Sequence, residues 1–440
     1  NKAYHYSTVC HNVVGTTNGD DESFTTIAAV NSTFIGTGNW SDSARWSEGI
    51  PGTITATTIK GTCTVEGDYE VASMAISSGS VSVNPGKTLK VTGSVTNSVG
   101  TAGLIFKSDA TGTGNLVNNS TGIEATVNQY FAKDQWHYYT LPITTTIDVC
   151  PLFYRFWAIG YNEAVSEWTY LNAGDMLIPG IGYGAQYKSV SNNDTTVAIT
   201  GILNSGDLTV NAAITGDGWK MIGNPYPCTV DWSSGITLNN IANAIYLWNP
   251  ITDNYGYYVN GVSTNGQTQY IAPMQGFFVR HTAISGSVTF TNAAKSTAAS
   301  MFRDAEIQSI IRLKVTDPNG RFDESVIRIK ADATNLFDGE MDAYKLNLWT
   351  NLAPQLYSEY NGVEYSINSI PEVNDGMLIP IRLMVKQTGI HRVSLTELKD
   401  YDIGLPIYLF TSDMKEFANL QQGDYTFQAE AGQTVELMMA

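Results

Sequence analysis

The sequence predicts an all-β protein made of several antiparallel β-sandwiches in series. Charged residues make up only 15% of the chain, well below the roughly 25% of an average soluble domain, and Ser, Thr, Asn and Gly take their place. Apolar residues mostly alternate with a period of two, as half-buried strands require. Forty glycines occur without a collagen-like period, which indicates short strands joined by polar turns.

The length of 440 residues predicts two to four domains, because a single hydrophobic core rarely extends over so long a chain. We divide the sequence into four segments by composition. Residues 1–35 form an N-terminal segment or the end of an upstream repeat, and residues 36–128 form a strand-repeat β domain. Residues 129–300 form an aromatic-rich β-sandwich, and residues 301–440 form a C-terminal β-sandwich. The polar and small residues 294–305 between them form a linker or a crossover.

The strand-repeat domain is predicted to be a short β-solenoid-like region or a small sandwich. In the run SVSVNPGKTLKVTGSV, period-two alternation places five apolar side chains on one face: Val81, Val83, Leu89, Val91 and Val95. The segment Asn84-Pro85-Gly86 supplies a turn between two strands. The pattern does not choose between the two architectures.

The two later segments are predicted to be antiparallel sandwiches of jelly-roll or immunoglobulin-like type, the first with aromatic residues at its corners. Its strand signals fall at residues 208–210, 244–248, 276–280 and 287–291. Residues 298–311 have the pattern of a short helix. The last segment has strand signals at residues 310–315, 325–329, 378–385, 389–394, 406–410, 425–429 and 434–438.

The net charge of −17 makes a nucleic acid or an anionic membrane an unfavourable partner. No apolar run reaches the 18 or so residues that a membrane-spanning helix needs. The four cysteines, Cys10, Cys63, Cys150 and Cys228, lack a zinc-ligand spacing. They allow three disulfide pairings if the chain is exported, or they are isolated buried thiols.

The run GWKMIGNPYPCTVDW, residues 218–232, predicts a rigid structural corner. Glycine permits tight backbone geometry, and two prolines fix φ on either side of an aromatic ring. An alternative is a platform on which a glycan stacks, since an aromatic face with a polar rim suits sugars. The residues of this corner are Trp219, Gly223, Asn224, Pro225, Tyr226, Pro227 and Trp232.

This run resembles a motif in large surface and adhesin-like proteins that Bacteroidetes export through the type IX secretion system. Three further runs fit the same family: GNWSDSARWSEGIPG at 38–52, FAKDQWHYYTLPI at 131–143 and APMQGFFVR at 272–280. Residues 323–346 resemble the domain that often precedes the sorting domain of such proteins. The resemblance implies export through that machinery and a location outside the cell or on its surface.

The family normally continues into a sorting domain that is cleaved on export, whereas this sequence stops at GQTVELMMA. We expect that domain to have been removed or to lie beyond the sequence. The chain has no signal peptide at Asn1, so we expect it to be a mature or truncated piece of a longer protein. The resemblance also implies O-glycosylation of Asp-Ser/Thr signals, here at Ser43 and Thr195.

No catalytic constellation is visible in the sequence, and we expect a protein that is not an enzyme. It lacks a nucleophile elbow, a phosphate-binding glycine loop and a paired-histidine metal motif. Glycosidases need two carboxylates facing one cleft, and adjacent acids such as Asp323 and Glu324 point to opposite faces of a strand. No cofactor is predicted.

The acidic run Asp338, Glu340 and Asp342 would point three carboxylates one way on a strand, so Ca²⁺ binding is one hypothesis and a solvated loop the other. Within the resembling domain, Asp342 and Lys345 belong to a recurring DA-x-K pattern, for which a buried Asp–Lys pair is one explanation.

The leading functional hypothesis is a secreted adhesin stalk or a subunit of an extracellular fibre, with residues 1–35 as the segment suspected of joining neighbours by strand addition. The alternatives are a carbohydrate-binding module and an accessory region of a larger secreted hydrolase. The aromatic density of residues 129–300 motivates the first alternative.

Overall fold

The structure is a computed structural model that describes residues 3–12, 14–25, 30–149, 153–188, 193–213, 216–297, 309–346, 352–401, 404–411 and 417–440. Strands hold 55% of the chain, far above the roughly 20–25% of a typical globular protein, so the protein is all-β as predicted. Two 3₁₀ turns interrupt the strands, at Ser43–Arg45 and Asn292–Ala294. The predicted helix over 298–311 falls mostly outside the described residues, and residues from 309 onward form a strand.

Residues 30–131, which we call the solenoid region, form three sheets of parallel strands. The first contains Val30–Phe34, Thr55–Ile59, Ser73–Ile76 and Val95–Asn97. The second contains Thr37–Asn39, Thr62–Val65, Ser80–Val83, Leu104–Phe106 and Glu124–Phe131. The third contains Tyr69–Val71, Thr88–Val91 and Asn115–Val117, and Ser108–Asp109 pairs with Gly112–Thr113 in a small hairpin.

Parallel pairing in register stacks like positions above one another, which builds the core of the solenoid region. Val65, Val83, Phe106 and Val127 form one such column, and all four side chains are fully buried. The five alternating residues predicted to share a buried face are buried, as expected from their spacing. The turn at Asn84-Pro85-Gly86, with Gly86 at φ +66°, leads from the second sheet into the third.

Both ends of this stack are covered. At the first end, Trp46 forms a β-bridge with Phe34, and its indole nitrogen donates to the carbonyl oxygen of Trp40 at 2.7 Å. Both tryptophan side chains are at most 5% exposed. At the other end, Glu124–Phe131 pairs along its whole length with the antiparallel strand Thr195–Ile202. The stack therefore continues into the aromatic-rich segment without a linker.

Residues 136–297, the central region, contain four antiparallel sheets and one two-stranded pair. The first sheet contains Trp136–Tyr139, Tyr183–Tyr187, Phe156–Asn162 and Glu167–Tyr170, and the pair is Ile147–Asp148 with Met176–Leu177. A second contains Leu208–Ala213, Ser285–Phe290 and Ile236–Asn239. A third contains Trp219–Gly223, Gly276–Arg280, Ile245–Asn249, Asn254–Val259 and Val262–Thr264. The fourth contains Tyr270–Ile271, Thr229–Asp231 and Lys295–Ser296.

The C-terminal region, residues 309–440, has one large sheet that comes close to closing as a barrel. Its strands, in spatial order, are Phe417–Asn419, Tyr408–Thr411, Thr434–Met439, Ile379–Met384, Gln355–Tyr360, Val363–Ile370, Phe322–Ile329, Ser309–Thr316, Gly389–Lys399 and Tyr425–Ala429. The strand Ala343–Tyr344 pairs with Val363–Ile370. Each predicted strand of this region coincides with an observed one.

The hydrophobic clusters cross the predicted domain boundaries. One cluster includes residues from Phe34 to Leu203 and also Met274. Another joins aromatic residues of the central region, such as Trp219, to Ile310 and Ile367 of the C-terminal region. Neighbouring regions thus share buried surface.

Among the described residues, 3–25 of the N-terminal segment pair only with each other, whereas Val30–Phe34 belongs to the solenoid region. Ala3–Tyr6 pairs with Glu22–Thr25, and Val9–Asn12 pairs with Gly15–Asn18, in both cases antiparallel. Across the described ranges as a whole, no helix is both long and apolar enough to cross a membrane.

Candidate functional site

The corner formed by residues 219–232 is organised around the side chain of Asn224, which is fully buried. Its amide nitrogen donates to the carbonyl oxygens of Cys228, Ile271 and Ala272 at 2.7, 3.1 and 2.9 Å. Its amide oxygen accepts a hydrogen bond from the backbone nitrogen of Tyr226 at 3.0 Å. Proline has no N–H to donate, so the backbone near Pro225 and Pro227 cannot form a regular β ladder. The Asn224 side chain supplies hydrogen bonds to backbone groups that lie outside such a ladder.

Gly223 lies where the corner meets the neighbouring chain. A Cβ atom added there would stand 2.6 Å from both Cβ and Cγ2 of Thr140, closer than real side chains approach. The carbonyl oxygen of Pro227 accepts from the backbone nitrogen of Leu116 at 2.9 Å, and that of Pro225 accepts from the Asn204 side chain at 2.9 Å. The corner therefore connects the central region to the third sheet of the solenoid region.

The aromatic rings of the corner are buried. Trp219, Tyr226 and Trp232 are 5%, 0% and 3% exposed. The Tyr226 hydroxyl donates to the carbonyl oxygens of Gly206 and Phe290, and the Trp232 indole nitrogen donates to Asn243. Burial raises the pKa of the Tyr226 hydroxyl above its ordinary range. These rings present no face to a sugar, so the motif does not form the stacking platform considered from the sequence.

A different group of aromatic residues is exposed, and we call Tyr154, Trp157 and Tyr170 the aromatic surface. Their side chains are 72%, 48% and 63% exposed. The rings of Trp157 and Tyr170 are 6.3 Å apart and nearly perpendicular, and the Lys188 ammonium lies 4.3 Å from the Trp157 ring centre. Sequence reasoning found the aromatic density of this region but did not single out these residues, because exposure depends on which sheet face is covered.

Asp323 is the centre of a buried polar network and the partner of Lys345, whereas the sequence pattern pointed to Asp342 as that partner. Its carboxylate pairs with the Lys345 ammonium, and both side chains are completely excluded from solvent. It also accepts hydrogen bonds from the Asn254 and Asn265 side chains at 2.9 and 2.8 Å and from the backbone nitrogen of Leu356 at 2.6 Å. Burial lowers the pKa of Lys345, and the carboxylate of Asp323 opposes that shift.

The partner of Lys345 is thus Asp323 and not Asp342, the acid of its own DA-x-K pattern. Asp342 is also buried, but its carboxylate accepts from the backbone nitrogens of Asp338 and Ser369 at 2.8 and 2.7 Å. Burial raises the pKa of Asp342 to about 6, against these hydrogen bonds and the nearby guanidinium of Arg328.

The acidic run considered for Ca²⁺ forms a turn and not a strand, so its side chains do not point one way. Glu340 is exposed and accepts from the Asn243 side chain at 3.2 Å, whereas Asp342 is buried. Within the described part of the chain, no group of three or more His, Cys, Asp or Glu side chains is arranged to hold a metal ion. The adjacent acids differ in burial, since Asp323 is fully buried and Glu324 is half-buried, and Asn265 donates to both, from its side chain at 2.8 Å and from its backbone nitrogen at 2.7 Å. Glu324 also pairs with Arg312 at 3.2 Å.

The two residues considered for O-glycosylation differ in accessibility. Ser43 is exposed in a 3₁₀ turn whose N-cap, Asp42, accepts from the backbone nitrogen of Ala44 at 3.1 Å. Thr195 is half-buried at the start of a strand that pairs with the solenoid region. Ser43 therefore has the more open surroundings for a bulky modification.

Two of the cysteines are free thiols in buried positions, Cys63 and Cys228. Burial raises the pKa of each thiol to about 12. Cys150 and the side chain of Cys10 lie outside the described residues.

The fold and its buried contacts define a class of all-β protein in which a stack of parallel strands is joined through polar networks to antiparallel sheets. The chain belongs to the family described as "Domain of unknown function (DUF8693)", whose model matches residues 33–436. No curated protein and no solved structure matches the chain. The family match spans all three regions, so it treats them as one unit.

Proposed function

We propose that this chain is a non-enzymatic, secreted cell-surface protein that acts as an adhesin stalk or as a subunit of an extracellular fibre. The observation that carries the proposal is that buried contacts join neighbouring regions across the described residues. The predicted linker at 294–305 lies mostly outside the described residues. Inter-domain motion is the default when the interface is small and polar. A stalk or a fibre subunit instead needs contacts between its regions that resist bending. Buried contacts provide that resistance.

The first joint lies between the solenoid region and the central region. The strands Glu124–Phe131 and Thr195–Ile202 form an eight-residue antiparallel ladder across it. The Lys295 ammonium donates to the carbonyl oxygen of Asn118 at 2.6 Å, next to the contact of Pro227 with the third sheet. Shearing this joint would break the backbone ladder and the hydrogen bond of the Lys295 ammonium, both of which contribute to the stability of the joint.

The second joint lies between the central and C-terminal regions. The Arg328 side chain is completely buried, and its guanidinium donates to the carbonyl oxygens of Val259 and Met341 at 3.3 and 2.5 Å. The network of Asp323 reaches the same strand of the central region through Asn254. Separation of the regions would break these hydrogen bonds across the joint, and a hydrogen bond to a charged group contributes about 1.5–3 kcal/mol.

The export route and the sandwich classification also belong to this proposal. The resemblance to type IX-exported proteins supports passage through that machinery and a surface location. We further propose that the antiparallel sheets of the central region are sandwiches of jelly-roll or immunoglobulin-like type. One observation in support is a hydrophobic cluster that includes Val210 and Phe290 of the three-stranded sheet and Phe277 of the five-stranded sheet. The C-terminal sheet departs from the predicted antiparallel sandwich, because it comes close to closing as a barrel and pairs Phe322–Ile329 with Val363–Ile370 in parallel.

The test is localisation and imaging of the native protein. Antibody labelling of intact producing cells is expected to reach the protein, and protease added outside is expected to remove the signal. Negative-stain electron microscopy of the purified chain is expected to show either filaments or stiff single particles. A protein found only inside unbroken cells would overturn the proposal. If filaments form, deletion of residues 1–25 tests whether that segment joins neighbours.

A second candidate, glycan binding, is favoured by the aromatic surface of Tyr154, Trp157 and Tyr170. Exposed rings stack on the apolar faces of sugars. The Lys188 ammonium lies over one face of the Trp157 ring, 4.3 Å from its centre. Trp157→Ala is expected to abolish binding on a glycan array, whereas Tyr360→Ala, at an exposed hairpin tip of the C-terminal region, is expected to leave it unchanged. Absence of binding by the unaltered chain across the array would exclude this candidate.

A further inference from the structure

A cleft of about 630 Å³ opens between the central and C-terminal regions. One wall comes from Asp217, Arg280 and Thr282 of the central region, and the other from Phe337 and Tyr344 of the C-terminal region. We propose that this cleft binds a short acidic saccharide, whose ring carboxylate is held by the guanidinium of Arg280. The proposal goes beyond the stalk function and does not depend on the aromatic surface.

The guanidinium of Arg280 is held between aromatic rings but forms no ion pair among the described residues. Its Cζ atom lies 3.9 Å from the ring centre of Tyr344 and 5.0 Å from that of Trp219. Among the described residues, no carboxylate lies within ion-pair distance of it, and no acceptor takes its side-chain hydrogen bonds. Stacking holds the plane of an arginine while its N–H edge stays available, which is the arrangement that binds a carboxylate in bidentate fashion.

The opposite wall presents aromatic surface. The rings of Phe337 and Tyr344 are stacked with centres 3.8 Å apart and planes inclined by 21°, and both side chains are half-buried. The Arg280 guanidinium covers the other face of Tyr344, so the outer face of the Phe337 ring is the one left for the apolar C–H side of a sugar ring. At the rim, Asp217 and Thr282 are exposed and offer a carboxylate and a hydroxyl to sugar hydroxyl groups.

The backbone around the cleft is fixed across the joint. The backbone nitrogen of Asn243 donates to the carbonyl oxygen of Gly339 at 2.7 Å, and the Tyr344 backbone nitrogen donates to the Tyr246 hydroxyl at 3.1 Å. The two walls are therefore held together before a ligand arrives, which reduces the ordering cost of binding.

Size and charge select the ligand class. A volume of about 630 Å³ lies in the usual range for small-ligand pockets, so the cleft admits a short saccharide. The net charge of −17 disfavours approach of a long polyanion, because repulsion grows with every added carboxylate. A saccharide with one carboxylated ring can pair with the Arg280 guanidinium and adds little repulsion from the acidic protein.

The experiment uses the full chain and saturation-transfer NMR titrations with four probes: D-glucuronate, D-glucose, acetate and sulfate. D-glucose matches the ring without the carboxylate, and acetate matches the carboxylate without the ring. We expect D-glucuronate to bind at least several-fold more tightly than each of the other three probes, because only it engages both walls.

Two variants locate the site. Arg280→Gln is expected to weaken D-glucuronate binding by about tenfold or more, the usual worth of a charge-assisted hydrogen bond. Gly339→Phe fills the cleft while leaving Arg280 in place, and a Cβ at Gly339 meets its nearest atoms at an ordinary 3.5 Å. The matched control is Arg155→Gln, since Arg155 also stacks on a tyrosine, with its Cζ 5.4 Å from the Tyr154 ring centre.

The outcomes are decisive in either direction. Loss of binding in both cleft variants, with unchanged thermal unfolding midpoints and an unaffected Arg155→Gln control, supports the site. Equal affinity for acetate or sulfate and D-glucuronate overturns the saccharide assignment in favour of a plain anion site. Absence of D-glucuronate binding, or binding retained in both cleft variants, overturns the site itself. The surface-labelling experiment is independent of all these results, so failure of one proposal is distinguishable from failure of the other.

Discussion

Asp323 and Lys345 form an ion pair whose side chains are both fully excluded from solvent, at the joint between the central and C-terminal regions. A buried pair adds little net stability compared with a packed apolar pair, because desolvation of two charges offsets their attraction. Loss of one member is a different matter, because the remaining charge stays buried. The Asp323 carboxylate would then keep only its neutral donors, among them Asn254 and the backbone nitrogen of Leu356.

Lys345→Met is therefore expected to destabilise the protein by about 3–5 kcal/mol. The control is Lys90→Met, which removes a pair with Glu70 at 3.3 Å in which both side chains are more than one-third exposed. That change is expected to cost no more than about 1 kcal/mol. Differential scanning calorimetry measures both shifts, and equal shifts for the two variants would contradict the importance of the buried pair.

Asn224→Asp tests the polar centre of the corner. The substitution keeps the shape of the side chain but replaces its amide donor by a carboxylate that faces the carbonyl oxygens of Cys228, Ile271 and Ala272. An unpaired buried charge of this kind costs about 3–5 kcal/mol. The same change at Asn211, exposed on a strand, is expected to have an effect within about 0.5 kcal/mol. Chemical denaturation of both variants gives the comparison, and a harmless Asn224→Asp would refute the network.

Gly223→Ala tests the close approach between the corner and Thr140. The added methyl group would overlap with Thr140, so we expect a loss of about 1–3 kcal/mol. Gly52→Ala is the control, because a Cβ there meets nothing within 4 Å. Thr140→Gly removes the overlapping atoms. Gly223→Ala is therefore expected to cost less in the Thr140→Gly protein than in the unaltered protein. A double variant that shows simple additivity in thermal unfolding would rule out the steric explanation.

The pKa of His137 is lowered to about 4, mainly by burial, while the Asp194 carboxylate opposes the shift. A histidine with a depressed folded pKa is protonated first in the unfolded chain, so its contribution to stability is lost as the pH falls below about 6.5. When the pH falls from about 7 to about 4, this residue is expected to lower the free energy of unfolding by up to about 3 kcal/mol.

His137→Gln isolates that contribution, because the Gln amide oxygen replaces the His137 ring nitrogen that accepts from the backbone nitrogen of Ala132 at 3.1 Å. The difference in unfolding free energy between the two proteins is expected to shift in favour of the variant on acidification. Asp342, with a pKa of about 6, acts in the opposite direction in both proteins and cancels in the difference. A difference that does not change with pH would count against a half-buried imidazole that stays neutral.

Cys63 and Cys228 are expected to resist alkylation in the native protein. Burial raises the pKa of each thiol to about 12, and the reactive thiolate is therefore scarce at neutral pH. Mass spectrometry after treatment with iodoacetamide is expected to find both residues unmodified until denaturant is added. Rapid labelling of either residue in the folded chain would disagree with its position in the core.

The amino-acid sequence was sufficient to predict several of the strands, because period-two alternation and polar turns act locally, but it gave no signal for others such as Gln355–Tyr360 and Val363–Ile370. The strand signal at 425–429 coincides with Tyr425–Ala429, and that at 276–280 with Gly276–Arg280. The burial of Val81 and Leu89 was also readable from spacing, but the single shared face was not, because the two residues lie in different sheets. The corner motif marked a rigid bend, since the φ restriction of proline is a property of the residue itself.

Only the tertiary structure decided which strands pair, because alternation is the same whether the neighbour is parallel or antiparallel. The strands on either side of Asn84-Pro85-Gly86 enter different parallel sheets and do not pair with each other. The partner of Lys345 is distant Asp323 and not nearby Asp342, because the closest carboxylate in space is set by the packing of strands. Exposure of Trp157 and burial of Tyr226 follow from the same long-range contacts, which no local pattern contains.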